Sequence, residues 1–209
     1  MLELYFIRHG ESAGNREDRF RGRHDFQLNQ NGVRQAEALR DELRGLPFDA
    51  VYSSPLSRAL KTAQIMADGK IPVTIRDGFN NISLGEWENE FKSTIRENYP
   101  DLWQLWRTVP EKLDFPGMET LARVRKRAYS ALTSLMKSHE DGRIAIVTHR
   151  AVLKPLFAEM LNIPEPYFWK LHIDTAAYSI AEYLPERGFT FTVINQTKHL
   201  RDFIREDLG

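Results

Sequence analysis

The 209-residue sequence contains no cysteine. Disulfides, thiolate nucleophiles and cysteine metal sites are therefore excluded, and the composition is compatible with a reducing compartment, so the expected location is cytoplasmic. Charge of one sign is not in excess either, because 29 Lys and Arg balance 29 Asp and Glu. That balance points to no nucleic acid and no membrane surface as partner, although local positive charge can still serve a small anion. Nothing approaches the roughly 18 consecutive apolar residues of a membrane span, and the N-terminus lacks a basic region followed by a long apolar core. Linkers, repeats and low-complexity tracts are also missing. One domain over residues 1–209 is expected, with enough chain for a sizeable core.

What is present begins with chemistry at the end of a strand. Leu2, Leu4, Phe6 and Ile7 form an apolar run that reads as a buried strand and breaks into Arg8-His9-Gly10-Glu11-Ser12-Ala13-Gly14-Asn15. Such a strand presents a guanidinium and an imidazole at the carboxyl edge of a sheet, where open α/β folds place ligands. Gly10 and Gly14 relax the backbone so that peptide N–H groups and Asn15 can turn toward an anion. For this stretch alone, a polar turn with an incidental histidine remains an alternative.

Arg16 to Gln27 reads as a charged, aromatic surface loop that could fold back over the first strand, carrying Phe20 and Arg21. A helix is expected from Asn29 or Asn31 to about Leu46, since Val33, Ala36, Leu39, Leu43 and Leu46 recur at helical spacing. Ala50-Val51-Tyr52 is a second strand, and it leads into Ser53-Ser54-Pro55-Leu56-Ser57-Arg58. Pro55 suits a first helical turn, and Arg58 one turn in can reach back to the sheet edge as a planar, multi-donor clamp for an oxyanion. Taken alone, an arginine at this position is more often a surface residue.

Ile71 to Ile75 is a further strand, followed by a loop to Asn89. Residues 88–118 look like a helical lid-like insertion, with short helices on either side of Pro100 and apolar anchors at Trp103, Trp106 and Phe115. Glu119 to Ser138 should be a long helix. Ile144 to Val147 is a strong buried strand that ends in Thr148-His149-Arg150 and leads into a helix, with Pro155 expected in its first turn. A C-terminal hairpin completes a mixed sheet, and Lys198 to Gly209 reads as a closing tail. Two histidines at two strand ends are harder to dismiss than one. A metal site is the rival reading, but the paired motifs lack carboxylate ligands and neighbouring arginines would oppose a cation.

In order and spacing, the motifs resemble the histidine phosphatase superfamily in its phosphoglycerate-mutase-like branch, which includes small phosphatases of alpha-ribazole phosphate and phosphoserine. The likeness rests on Arg8-His9-Gly10-Glu11-Ser12 with Asn15, Leu28 to Ala36 with Gly32 and Gln35, and Tyr52 to Ala59 with Thr62-Ala63. Gly85-Glu86-Trp87-Glu88, Pro116-Gly117 with Glu119, and Val147-Thr148-His149 extend it over nearly the whole chain. The resemblance implies a three-layer α/β/α fold with a mixed, mostly parallel central sheet. It also implies His9 as a nucleophile that becomes phosphohistidine, with Arg8, Asn15, Arg58 and His149 around the phosphoryl oxygens and no metal or cofactor. The partner would be a small phosphorylated metabolite or inorganic phosphate, and a homodimer is compatible with the family. The chemistry agrees, because fixed cationic donors can stabilise the equatorial charge of phosphoryl transfer. His9 must keep one nitrogen neutral with a free lone pair, so its other nitrogen should donate to an acceptor such as a backbone carbonyl.

One position departs from the branch. Where its phosphatases carry a glutamate that acts as acid and base, this chain has Asn81. An amide can orient a hydroxyl or a water but cannot shuttle a proton near neutrality. Three accounts stay open: an introduced substitution, replacement of the acid by Asp77, Glu86 or Glu88, or a phosphate-ester binding protein with residual turnover. Arg150 stands where Gly is usual after the second histidine, and could pair with a carboxylate or second phosphate or project into solvent. Phe20, Arg21, Glu86 and Arg150 are candidate substrate contacts. Phosphoglycerate-mutase-type transfer is the functional alternative, although the mutases generally carry longer insertions.

Overall fold

A computed structural model of the chain describes residues 1–201. Residues 202–209, most of the expected closing tail, lie outside the described residues. Six strands form one sheet: β1 (Leu2–Arg8), β2 (Ala50–Ser53), β3 (Val73–Ile75), β4 (Gly142–Thr148), β5 (Tyr178–Leu184) and β6 (Gly188–Gln196). Their spatial order is β3-β2-β4-β1-β5-β6, with the first four parallel and the last two antiparallel. This is the three-layer α/β/α arrangement with a mixed, mostly parallel sheet.

Both faces of the central strands are covered, which explains why β1 and β4 read as nearly continuous apolar runs. On one face, Leu2, Leu4, Phe6, Ile144 and Ile146 pack against α6 (Leu121–Ser138) and α7 (Arg150–Met160). On the other, Tyr5, Ile7, Val51, Ala145 and Val147 meet α2 (Gln30–Glu42) and α3 (Ser57–Ala67). The period-two alternation of side chains thus divides each strand between two cores. Truncating a fully buried leucine such as Leu132 to alanine would cost about 2–5 kcal/mol.

Several boundaries differ from the sequence reading. Helix α2 begins after Asn29, whose side chain accepts from the Gly32 N–H, but it stops at Glu42 and not near Leu46. The apolar spacing continues into Leu43, which is buried in the turn that follows, so periodicity outlasts the helix. Pro55 precedes the helix it was expected to open, since Leu56 caps α3. Pro155 lies well inside α7 and not in its first turn, so its ring removes the donor that would have met the Ala151 carbonyl. A short helix α1 (Ala13–Arg16) lies within the first polar stretch and was not anticipated. The lid segment contains α4 (Lys92–Asn98) and α5 (Pro100–Thr108), which share Tyr99 as a cap. No described helix is long and apolar enough to cross a membrane.

Candidate active site

Sheet register assembles the centre of the site. Arg8 pairs with Thr148 and Ser53 with Val147, so His9, His149 and Ser54 leave three adjacent strands at the same edge. Backbone bonds extend the pairing beyond the strands: His9 N–H donates to Thr148 O at 3.0 Å, and Ser54 N–H to Val147 O at 3.0 Å. The two imidazole centroids are 5.1 Å apart. His9 Nδ1 lies 2.6 Å from Gly10 O. A carbonyl only accepts, so Nδ1 carries the proton and Nε2 keeps the lone pair a nucleophile needs. Burial, then Arg58 and Arg8, holds the His9 pKa well below the usual imidazole range, which keeps the ring neutral at pH 7. Burial and Arg58 depress His149 in the same direction.

The first loop is braced by the second motif. A Cβ on Gly32 would lie 1.9 Å from Glu11 O, and one on Gly10 would lie 2.5 Å from Gly32 O, so these two backbones can touch only as glycines. Gln35 Oε1 accepts from Glu11 N–H at 2.8 Å, while the Glu11 carboxylate accepts from the side chains of Asn29 and Asn31. Asn15 Oδ1 accepts from both the backbone and hydroxyl of Ser12, closing the first helical turn. Arg8 Nη1 donates to Ile173 O at 2.7 Å.

Arg58 is fully buried and is not a surface arginine. Its Nη1 donates to His24 O at 3.0 Å and its Nη2 to Gly22 O at 2.9 Å. The 16–27 loop therefore folds back over the site, with Phe20 buried, and its carbonyls hold the guanidinium. Burial and Arg21 push Arg58 down to about 9, still above neutrality, so its charge is retained.

The cleft in front of the histidines is lined by Arg8, His9, Phe20, Arg21, Asn81, His149 and Arg150, together with Arg19, Lys92, Trp106 and Phe168. Of the proposed site residues, Asn15, Arg58 and Glu86 are not part of that lining; the first two are buried, and Glu86 is exposed in the Gly85–Trp87 turn. Arg19 and Lys92 already have partners, since Arg19 pairs with Glu17 and Lys92 with Asp18. The lining contains no Asp or Glu among the described residues. Nor is any group of three or more His, Asp or Glu among them arranged to hold a metal ion.

Asn81 is buried on the cleft wall. Its Nδ2 donates to Gly22 O at 2.7 Å, the same carbonyl that accepts from Arg58. Its Oδ1 is buried without a protein partner, as an acceptor only. The main-chain oxygen of Asn81 accepts from Arg23 and Arg127, and Arg127 is paired in turn with Glu119 at 2.7 and 2.9 Å. Burial pushes the Glu119 carboxyl up, but Arg127 and then Arg23 outweigh it and leave its pKa below the ordinary value. The Gly85 and Pro116-Gly117 motifs pack backbone to backbone beside this wall, where a Cβ on Gly85 would lie 2.9 Å from Gly117 C. Asp77 is exposed, Glu88 Oε1 accepts from Leu84 N–H at 2.9 Å, and neither residue is part of the cleft lining.

Sequence reasoning did not single out Ser54, and it named Trp106 as an apolar anchor of the lid segment. Ser54 stands inside the Tyr52 to Ala59 motif, four residues before Arg58. The buried Ser54 hydroxyl lies 2.7 Å from His149 Nε2, a contact with no local signal because the residues are 95 positions apart.

Known proteins share this fold. Phosphoserine phosphatase 1 of Hydrogenobacter thermophilus is 32% identical over 207 residues, covering 99% of this chain and 98% of that protein. The solved structure of Bacillus stearothermophilus YhfR superposes with a TM-score of 0.91 at 30% identity, covering 95% of this chain and 99% of that one. A phosphoserine phosphatase mutant from Entamoeba histolytica, solved in complex with phosphoserine, gives a TM-score of 0.85 at 28% identity, covering 96% of this chain and 100% of that one. The histidine phosphatase superfamily (branch 1) matches residues 4–197. With a neutral histidine at the strand end and a match that spans both histidine motifs, the chain belongs to branch 1 of the histidine phosphatase superfamily and carries its phosphomonoesterase-type chemistry.

Proposed function

We propose that this protein hydrolyses a small phosphate monoester through a phosphohistidine on His9, and that Asn81 limits its turnover. The observation that carries the reading is the His9 Nδ1 contact to Gly10 O at 2.6 Å, which leaves Nε2 as a neutral nucleophile beside Arg8 and His149. Nε2 attacks phosphorus and the ester P–O bond breaks, releasing the alcohol oxygen with its electron pair. Water then attacks the phosphohistidine, breaking the P–N bond and regenerating His9. Arg8 and His149 face the developing charge, and Arg58 adds its field from behind.

The first step leaves an alkoxide that needs a proton, and the second needs a base for water. Asn81 can accept a hydrogen bond through Oδ1 but can supply neither service, and no carboxylate lines the cleft among the described residues. Loss of such help typically costs about 10²- to 10⁴-fold. The same feature favours a second reading, a phosphate-ligand-binding protein with residual turnover. Arg150 and Arg21 on the cleft wall support a substrate with a carboxylate beside its phosphate, and the phosphoserine phosphatase relatives make phosphoserine the first candidate.

The test is a panel of phosphoserine, alpha-ribazole phosphate, phosphoglycerates and p-nitrophenyl phosphate, run on this chain and its Asn81→Glu form with and without chelator. An activated aryl leaving group needs little protonation, so aryl phosphate should turn over in both proteins. Asn81→Glu should raise alkyl phosphate turnover by at least about 10-fold. An unchanged alkyl rate across the pH profile would reject the role given to Asn81, and no acid-labile phosphoenzyme with the aryl ester would reject the enzyme reading in favour of binding alone.

A further inference from the structure

His149 directly follows β4, which lies between β1, followed by His9, and β2, followed by Ser54, and burial and Arg58 oppose protonation of its ring. A neutral imidazole is a donor at one nitrogen and an acceptor at the other, so the choice of tautomer decides what His149 can offer an anion. Its Nε2 is 2.7 Å from Ser54 Oγ, with both residues buried. Its Nδ1 is buried with no protein partner.

The Ser54 hydroxyl settles the choice. Its oxygen accepts from Leu56 N–H at 3.3 Å, which uses a lone pair and leaves the proton to be placed. His149 Nε2 is the acceptor within reach of that proton among the described residues. If Nε2 carried the hydrogen instead, the hydroxyl proton would be buried without an acceptor, which is unfavourable. The bare Nδ1 lone pair would then repel a phosphoryl oxygen.

We propose that Ser54 is a positioning residue whose hydroxyl donates to His149 Nε2 and holds the Nδ1–H tautomer, so that Nδ1 donates to a bound phosphoryl oxygen. The tautomer is a property of the free protein, whereas the phosphoryl contact rests on the phosphatase reading above. The backbone bond from Ser54 N–H to Val147 O fixes the serine on the sheet edge independently of its hydroxyl.

Long-range ¹H–¹⁵N spectra of the ¹⁵N-histidine-labelled full chain, with His149 assigned by its loss in His149→Gln, read the tautomer directly. The wild-type protein should show Nδ1–H at neutral pH, and Ser54→Ala should shift His149 toward Nε2–H. Orthovanadate affinity should fall about 10-fold in Ser54→Ala and stay within about 2-fold of wild type in Ser54→Thr, which keeps the hydroxyl. An Nε2–H tautomer in the wild type would overturn the proposal, as would wild-type vanadate affinity in a folded Ser54→Ala protein. Failure to form phosphohistidine would leave the spectra unchanged, so the two readings fail separately.

Discussion

His9 and Asn81 face the same cleft, yet they are held by different means. His9 is a strand end: its N–H is bound to Thr148 O, its carbonyl accepts from Ala176 N–H, and its ring is tied to the next residue. Asn81 belongs to a loop whose course depends on side chains, through Arg23 and Arg127 on its carbonyl and its own amide on Gly22 O. The sheet edge is over-determined by backbone pairing, whereas the opposite wall depends on a few polar contacts that single substitutions can remove. Chemistry divides along the same line. In the proposed mechanism the edge presents a nucleophile and cationic donors, and the wall presents a fixed acceptor with no proton to exchange.

The sharpest way to break this comparison is His9→Ala, which should reduce phosphate-ester turnover by at least about 10⁴-fold and abolish acid-labile phosphoenzyme, measured by quench after mixing with aryl phosphate. Residual phosphoenzyme would mean that the nucleophile lies elsewhere. Gly32→Ala attacks the rigid half by a different route, because its Cβ would meet Glu11 O at 1.9 Å and neither backbone can yield. We expect a loss of about 3 kcal/mol in a urea melt, with vanadate binding lost as the loop shifts.

Arg127→Met tests the side-chain-held wall, since it removes bonds to Glu119, Gly78 O and Asn81 O. A smaller loss of about 1–2 kcal/mol should appear in the same melt, while aryl phosphate still phosphorylates His9. Equal damage to phosphoenzyme formation would show that the two halves are not separable. The smallest effect is in pH. His9 and His149 have depressed pKa values in the fold, whereas in the unfolded chain they take up protons below about pH 6.5. Their neutral burial therefore contributes stability that is complete above that pH and declines on acidification, so urea midpoints should fall between pH 7.5 and 5.5. The fall should be reduced in His149→Gln.

Much of this was legible from local pattern. The strands around Phe6 and Ile146, the helix start at Asn29 and the two strand-end histidines all follow from apolar runs, periodicity and capping chemistry. The carbonyl partner of His9 could be anticipated because it is required by the ring's chemistry and supplied by the adjacent residue. Helix ends were less legible, since the apolar spacing continues to Leu43 and Leu46 while the helix ends at Glu42. The 16–27 loop was legible as one that could fold back over the first strand, but not that its carbonyls would hold a buried Arg58.

By itself the sequence determined the kinds of group available: two histidines, their arginines, and an amide where an acid is usual. These depend on residue identity and on neighbours along the chain. Only the tertiary structure decided that Ser54 Oγ lies beside His149 Nε2, that one Gly22 carbonyl serves both Arg58 and Asn81, and that no carboxylate lines the cleft among the described residues. Those outcomes depend on parallel strand register and on loops that cross over it, which bring together atoms from residues far apart in the chain.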